Sequence, residues 1–116
     1  WTPNTFKIEV MFEELGLKYN EIIVDTSKGD QFKPEFLKIN PNNKIPAIVD
    51  RRGDEPIVVF ESGSILLYLA DLSGKFIPKD VKGRTEVFKW LFWQVANQGP
   101  MQGQVGFIST NKFSIV

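Results

Sequence analysis

The feature of this sequence that most limits the folds open to it is the order in which its apolar period changes along 116 residues. Ile8, Met11, Phe12 and Leu15 fall at i, i+3, i+4 and i+7, one helical stripe, with Glu9, Glu13 and Glu14 mostly off it. Thr2 suits the N-cap, Pro3 the first helical position and Gly16 the left-handed residue that closes the helix. Over residues 17–25 the period drops to two, with Ile22 and Val24 on one face and Tyr19, Glu21 and Ile23 on the other, which predicts a strand. Residues 26–43 are rich in Gly, Pro, Asn, Ser and Lys. There Phe32, Phe36, Leu37 and Ile39 predict two helical turns from near Pro34, ended by an Asn40-Pro41-Asn42-Asn43 turn. Residues 45–50 and 56–60 are β-rich runs joined by a short loop with Gly53, the pattern of an antiparallel hairpin. Ile65, Leu66, Leu69 and Leu72 form a second helical stripe, stopped at Ser73-Gly74. After a connector from Phe76 to Lys82, a third helix carries Val87, Phe88, Leu91, Phe92 and Val95, flanked by Trp90 and Trp93. It is apolar over more than half its circumference, as helices covered on two sides are, and Gly99-Pro100 breaks or kinks it. Residues 107–116 show no strong periodicity.

Composition narrows the chemistry more than the fold. Fourteen Lys and Arg balance fourteen Asp and Glu, and the longest basic run is Arg51-Arg52, so no clustered basic surface points to nucleic acid or an anionic membrane. The chain has no Cys and no His. Disulfides, Cys or His zinc sites, a protein thiol nucleophile and an imidazole base are therefore excluded, and no metal is expected. No apolar run approaches the ~20 residues of a membrane helix, and no signal peptide leads the sequence, which makes a cytoplasmic protein the expectation. The chain starts at Trp1 rather than Met, the mark of a fragment or a processed piece.

Five strings, in this order, resemble the N-terminal, thioredoxin-like half of a cytosolic glutathione transferase: Thr2-Pro3-Asn4, the run from Gly29 to Phe36, the run from Asn40 to Ala47, Phe60-Glu61-Ser62-Gly63, and Trp90-Leu91-Phe92-Trp93-Gln94. The resemblance runs from residue 1 to about residue 104. It is nearest to the nu class of bacterial disulfide-reducing transferases and to the related fungal nitrogen regulator with a prion-forming extension. It implies an α/β fold in three parts: a thioredoxin-like glutathione-binding domain over residues 1–77, a linker over 78–82, and the start of a truncated helical domain over 83–116. The family's first strand precedes the Thr-x-Asn turn and lies between neighbouring strands, and this chain has no residues for it.

Glutathione has a γ-glutamyl head with two opposite charges, a cysteinyl thiol and a glycyl carboxylate. The resemblance assigns its γ-glutamyl carboxylate to Ser62 at a helix N-terminus, its ammonium to Glu61, and its cysteinyl backbone to Ile45 beside a cis Pro46. Gln31 and Lys44 match the positions that meet the glycyl carboxylate and the remaining peptide groups. Thr2 and Asn4 are placed at the sulfur, as donors that favour the thiolate rather than as bases. On the local strings alone, plain roles suffice: Ser62 and Thr2 as caps, Glu61 as a first-turn acid, Gln31 and Lys44 as solvated loop residues. Neither Tyr nor Cys stands at the helix start, and Tyr19 and Tyr68 lie elsewhere, so the Tyr-type and Cys-type mechanisms have no support.

The implied activity is glutathione-dependent transfer or disulfide reduction, with glutathione as cosubstrate, a small electrophile or disulfide as its partner, and a homodimer as the working form. Two other readings stay open: a regulator that keeps the fold but acts by gripping another protein, and an inactive fragment. For Trp90, Phe92 and Trp93, packing is favoured over lining an electrophile pocket, and a pocket role for Met101 rests on its place beside Gly99-Pro100 alone.

Overall fold

Thr2 caps the first helix as expected. In the computed structural model, which describes residues 2–110, its hydroxyl accepts the Thr5 N–H at 3.2 Å and the Thr5 hydroxyl accepts the Thr2 N–H at 3.0 Å. This reciprocal box starts α1, Pro3–Leu15, and Gly16 ends it at φ 65°. Two 3-10 turns, Thr26–Lys28 and Asp30–Phe32, lead to a single helical turn α2, Pro34–Leu37. The hairpin is present as β1, Ala47–Asp50, paired antiparallel with β2, Ile57–Phe60, in the register Ala47 opposite Phe60 and Asp50 opposite Ile57. The Ile45-Pro46 peptide bond is cis. α3, Ser62–Ser73, follows, closed by Gly74 at φ 67°.

These elements belong to the first of two units into which the chain divides, Trp1–Phe76 and Ile77–Val116. The core of the first unit is Ile8 from α1 with Ile65 and Leu69 from α3. Met11, Phe12, Leu15, Leu66, Ile48 and Val59 pack against it, so one face of α1 and one of α3 meet beside the hairpin. Leu72, placed in the α3 stripe by periodicity, is exposed, because the stripe turns away from the core in the last helical turn.

The strand expected over residues 17–25 does not form. A strand needs a neighbour for its backbone donors and acceptors. Among the described residues the sheet has only β1 and β2, and Ile22 and Ile23 are 78% and 81% exposed. The segment is tied at its ends instead: Leu17 packs on the core and donates its N–H to the Phe12 carbonyl at 3.0 Å, Tyr19 stacks on Phe12 with ring centroids 4.7 Å apart, and the Asp25 N–H donates to Asp30 Oδ2 at 3.0 Å.

In the second unit, Asp80 caps α4, Val81–Trp93, by accepting the Gly83 N–H at 2.8 Å. A Cβ on Gly83 would stand 2.7 Å from Pro78 Cβ, so this turn closes only around glycine. No residue of α4 is buried, and Trp90, Phe92 and Trp93 are exposed in this chain. Trp90 and Trp93 meet edge to face, and Glu86 accepts from both Trp90 Nε1 and Lys89 Nζ. Gly99-Pro100 does not stop the helix. A π-helical turn, Gln94–Gln98, closed by the Gly99 N–H donating to the Gln94 carbonyl, precedes α5, Gly99–Thr110, and Pro100 stands in the first turn of α5, where a missing N–H is tolerated. The tail expected to lack periodicity is thus helical as far as Thr110, and residues 111–116, like Trp1, lie outside the described residues.

Candidate functional site

β2 runs into α3 with one residue between them. Glu61 makes that turn at φ 69° and ψ 116°, a conformation that costs a residue with a Cβ roughly 1–3 kcal/mol. Its carbonyl accepts the Ile65 N–H at 2.9 Å, but its side chain caps nothing. Ser62 is therefore the first residue inside the helix rather than its N-cap. The leading N–H groups of α3 are left without a side-chain acceptor at the positive end of the helix dipole.

Across from this helix end, the chain turns from α2 through residues 40–46 into β1. Asn40 is 1% exposed and has both ends of its amide satisfied: Nδ2 donates to the Lys44 carbonyl at 2.6 Å and Oδ1 accepts the Asn42 N–H at 2.9 Å. Asn43 takes φ 50° and donates its N–H to the Asn40 carbonyl at 3.0 Å, which closes the turn read from the sequence.

These segments and the start of α1 enclose one cleft, lined by Asn4, Asn40, Lys44, Ile45, Pro46, Glu61 and Ser62. Six of the eight residues assigned from the sequence come together there. Among the described residues, the side chains of Asn4, Lys44 and Ser62 make no hydrogen bond or ion pair, and the backbone N–H and C=O of Ile45 have no partner. The Glu61 carboxylate has one long contact, from Asn42 Nδ2 at 3.5 Å. The cleft thus gathers an uncapped helix end with a hydroxyl, a carboxylate, a strand-like backbone donor and acceptor, an ammonium and a carboxamide. That set can take a charged extended peptide: a carboxylate on α3, an ammonium on Glu61, a peptide bond on Ile45 and a second carboxylate on Lys44. Among the described residues no cluster of His, Cys, Asp or Glu could hold a metal ion.

Thr2 and Gln31 stand outside this lining. The Thr5 hydroxyl gives its proton to the Thr2 carbonyl at 2.7 Å, so the Thr2 hydroxyl keeps its own for the 3.4 Å contact to Thr5 Oγ1 or for a ligand. Gln31 lies in the second 3-10 turn with Oε1 buried and unpartnered among the described residues.

Two residues near the cleft escaped the sequence reading. Asn40 was absorbed into a turn motif, and an asparagine that closes a turn looks the same in sequence as one that is buried. Lys7 lies one helical turn beyond Asn4 on α1 and is half-buried. Burial pushes its ammonium below the usual lysine pKa, and the nearby Glu61 carboxylate opposes that shift. Its i, i+3 spacing from Asn4 was the available signal.

Residues 1–72 match the family model of the glutathione S-transferase N-terminal domain. The chain is 55% identical over 106 residues to the disulfide-bond oxidoreductase YfcG of Escherichia coli K12, a match covering 89% of this chain and 49% of that protein. It is 38% identical over 111 residues to the protein URE2 of Candida glabrata, covering 88% of this chain and 30% of the relative. A glutathione transferase from Burkholderia graminis, solved with two glutathione molecules bound per subunit, superposes with a TM-score of 0.91 at 47% identity, covering 97% of this chain and 48% of that one. The chain spans about half the length, or less, of the relatives it matches.

Proposed function

The chain belongs to the glutathione S-transferase family and has the thioredoxin-like fold of its N-terminal domain, and from that premise we propose that it binds glutathione in the cleft between α1, residues 40–46 and α3 and serves a glutathione-dependent disulfide reductase. The observation that carries this reading is the set of polar groups on the cleft wall that are unpaired among the described residues: Asn4, Lys44, Ser62 and the Ile45 backbone. Asn4 and Lys44 are exposed at the cleft mouth, but Ser62 and Ile45 are half-buried, and polar groups withdrawn from water are normally satisfied within a fold. A cluster left open matches a ligand that supplies the partners.

In this reading Ser62 and the first N–H groups of α3 hold the γ-glutamyl carboxylate, and Glu61 holds its ammonium. Ile45, next to Pro46, pairs with the cysteinyl backbone, while Lys44, with Gln31 reaching from its turn, meets the glycyl carboxylate. The sulfur then lies at the N-terminal end of α1. The Asn4 amide donates to it there and the helix field favours the anion, with the Thr2 hydroxyl as a second donor. None of these groups is a base. They lower the thiol pKa from its free value of ~8.5, and each unit corresponds to ~1.4 kcal/mol of preference for the thiolate.

The chemistry balances without a protein cysteine. One glutathione thiolate attacks a disulfide, forming a mixed disulfide and releasing one thiolate. A second glutathione thiolate then attacks the mixed disulfide at the glutathione sulfur, giving oxidised glutathione and the second product thiol. The electrons come from two glutathiones. A protein without cysteine can therefore perform this reaction, and the cytosol, where glutathione is kept reduced, is the compartment that fits it. Among the described residues no helix is long and apolar enough to cross a membrane. The homodimer expected of the family is part of the same proposal.

Replacing Asn4 tests the reading. In the protein carrying this chain, Asn4→Ala should lower glutathione-dependent disulfide turnover roughly 10- to 100-fold, the worth of a hydrogen bond to a charged group, with a much smaller change in glutathione affinity. Turnover equal to the parent's removes Asn4 from the mechanism. Glutathione binding with no turnover in the parent favours the binding-module reading instead.

A further inference from the structure

We propose that Asn40 is a positioning residue for this cleft: its carboxamide fixes the Lys44–Ile45 peptide so that the Ile45 N–H stays open to a ligand, an inference that rests on the glutathione-binding reading above. An asparagine that only closes a turn needs its Oδ1, and the 2.9 Å bond from the Asn42 N–H is that arm. Here the amide has a second arm, with Nδ2 reaching four residues on to the Lys44 carbonyl at 2.6 Å. Which way the amide faces is settled by chemistry, since a backbone N–H can only donate and a carbonyl can only accept. The backbone of Asn40 adds two more bonds: its N–H donates to the Phe36 carbonyl at 2.8 Å and its carbonyl accepts from Asn43. A side chain 1% exposed and bound at both ends has one orientation, and it passes that orientation to the group it holds.

The consequence follows from peptide geometry. In the trans, planar Lys44–Ile45 peptide the C=O and N–H point in opposite directions. With the carbonyl drawn to Asn40, the Ile45 N–H faces away from it and has no partner among the described residues. Asn42 extends the arrangement, because its backbone binds Asn40 while its own Nδ2 reaches the Glu61 carboxylate at 3.5 Å. One buried amide thus relates the backbone wall of the cleft to its carboxylate. Asn40 itself need not touch the ligand.

Asn40→Asp separates the two arms, because it keeps the turn-closing acceptor and replaces the donor with an oxygen facing the Lys44 carbonyl. The full chain should stay folded, with roughly tenfold weaker glutathione binding at pH 7.5, the scale of one lost hydrogen bond that positions a donor. In turnover, the glutathione KM should rise while kcat at saturation stays within about threefold, since Asn4 and α1 are untouched. At about pH 5 a proton on the new carboxyl restores a donor. The variant-to-parent affinity ratio should then recover, and taking the ratio cancels titration of the other groups in the cleft. In ligand-free protein the Ile45 amide resonance should shift while those of β2 stay in place. If Asn40→Asp does not fold, Asn40→Ser keeps a turn acceptor without the charge and should show the same loss without the acid recovery. Unchanged affinity in a folded variant, a loss that acid does not reverse in Asn40→Asp, or an unmoved Ile45 amide overturns the positioning role. A parent chain that does not bind glutathione overturns the reading beneath it instead.

Discussion

The two ends of β1 are opposites. At its leading end the Ile45 backbone and the side chains of Lys44, Ser62 and Asn4 are unpaired among the described residues. At its far end Asp50 is saturated. Its carboxylate takes Arg52 Nε at 2.9 Å and Nη2 at 2.5 Å, the Arg52 N–H at 3.0 Å and the Tyr68 hydroxyl at 2.5 Å. Arg52 first, and then Tyr68, hold its carboxyl well below the usual carboxylate range. One helix serves both ends, since α3 brings Ser62 to the open end and Tyr68 to the closed one, with Ile65 fully buried between them. Saturated polar groups fix a scaffold, whereas open ones are where a ligand's groups can take the place of water.

The largest test of this contrast removes what the two ends share. Ile65→Ala deletes most of a side chain that is 0% exposed, and should cost ~2–5 kcal/mol. Both ends should loosen together: one denaturation transition at a lower midpoint, with hydrogen exchange accelerated equally around Ser62 and around Asp50. Unequal acceleration would mean that the ends belong to separate folding units. The next test touches only the open end. Ser62→Ala removes a hydroxyl that bonds nothing among the described residues, so stability should change by no more than ~0.5 kcal/mol. Calorimetry should show glutathione binding weakened roughly tenfold or more, as for a lost hydrogen bond to a carboxylate. A lower Tm with unchanged affinity would assign Ser62 to the scaffold.

The same contrast explains what the sequence disclosed. Elements set by local period and end signals were legible: Thr2, Pro3 and Gly16 bound α1, Gly53 lies in the hairpin loop, and Gly74 ends α3. The strand over residues 17–25 was not, because alternation states a preference for one face while a strand also requires a neighbour. The helix past Pro100 was missed because a proline was taken to end the ladder, where Pro100 stands in the first turn of α5, just past a π-helical turn. At the site, residues that present side chains to the cleft matched family strings and were found. Asn40, which acts through another residue's peptide, left only a turn signature. The backbone of Glu61 was equally hidden, since nothing in its side chain announces a positive φ.

The smallest effect is expected at the closed end, and pH gives it a shape. Tyr68→Phe removes one donor from Asp50 and should lower the Tm near pH 7 by roughly 5 °C, leaving glutathione affinity as it was. The folded Asp50 carboxyl titrates below its unfolded value of ~3.9, so its contribution is complete above about pH 5 and is lost as the pH falls toward the folded value. Tyr68 is shifted the other way, raised chiefly by its bond to Asp50. Its contribution is complete below ~10 and is lost as the pH rises through the raised folded value. The difference in Tm between parent and Tyr68→Phe should therefore be greatest from about pH 5 to 9 and narrow on both sides. A difference that stays undiminished below about pH 5 and above about pH 10 would mean that Tyr68 acts by packing on the core rather than through Asp50. A loss of glutathione affinity in the same variant would show that the saturated end also shapes the open one, and the two ends of β1 would then have to be treated as one site.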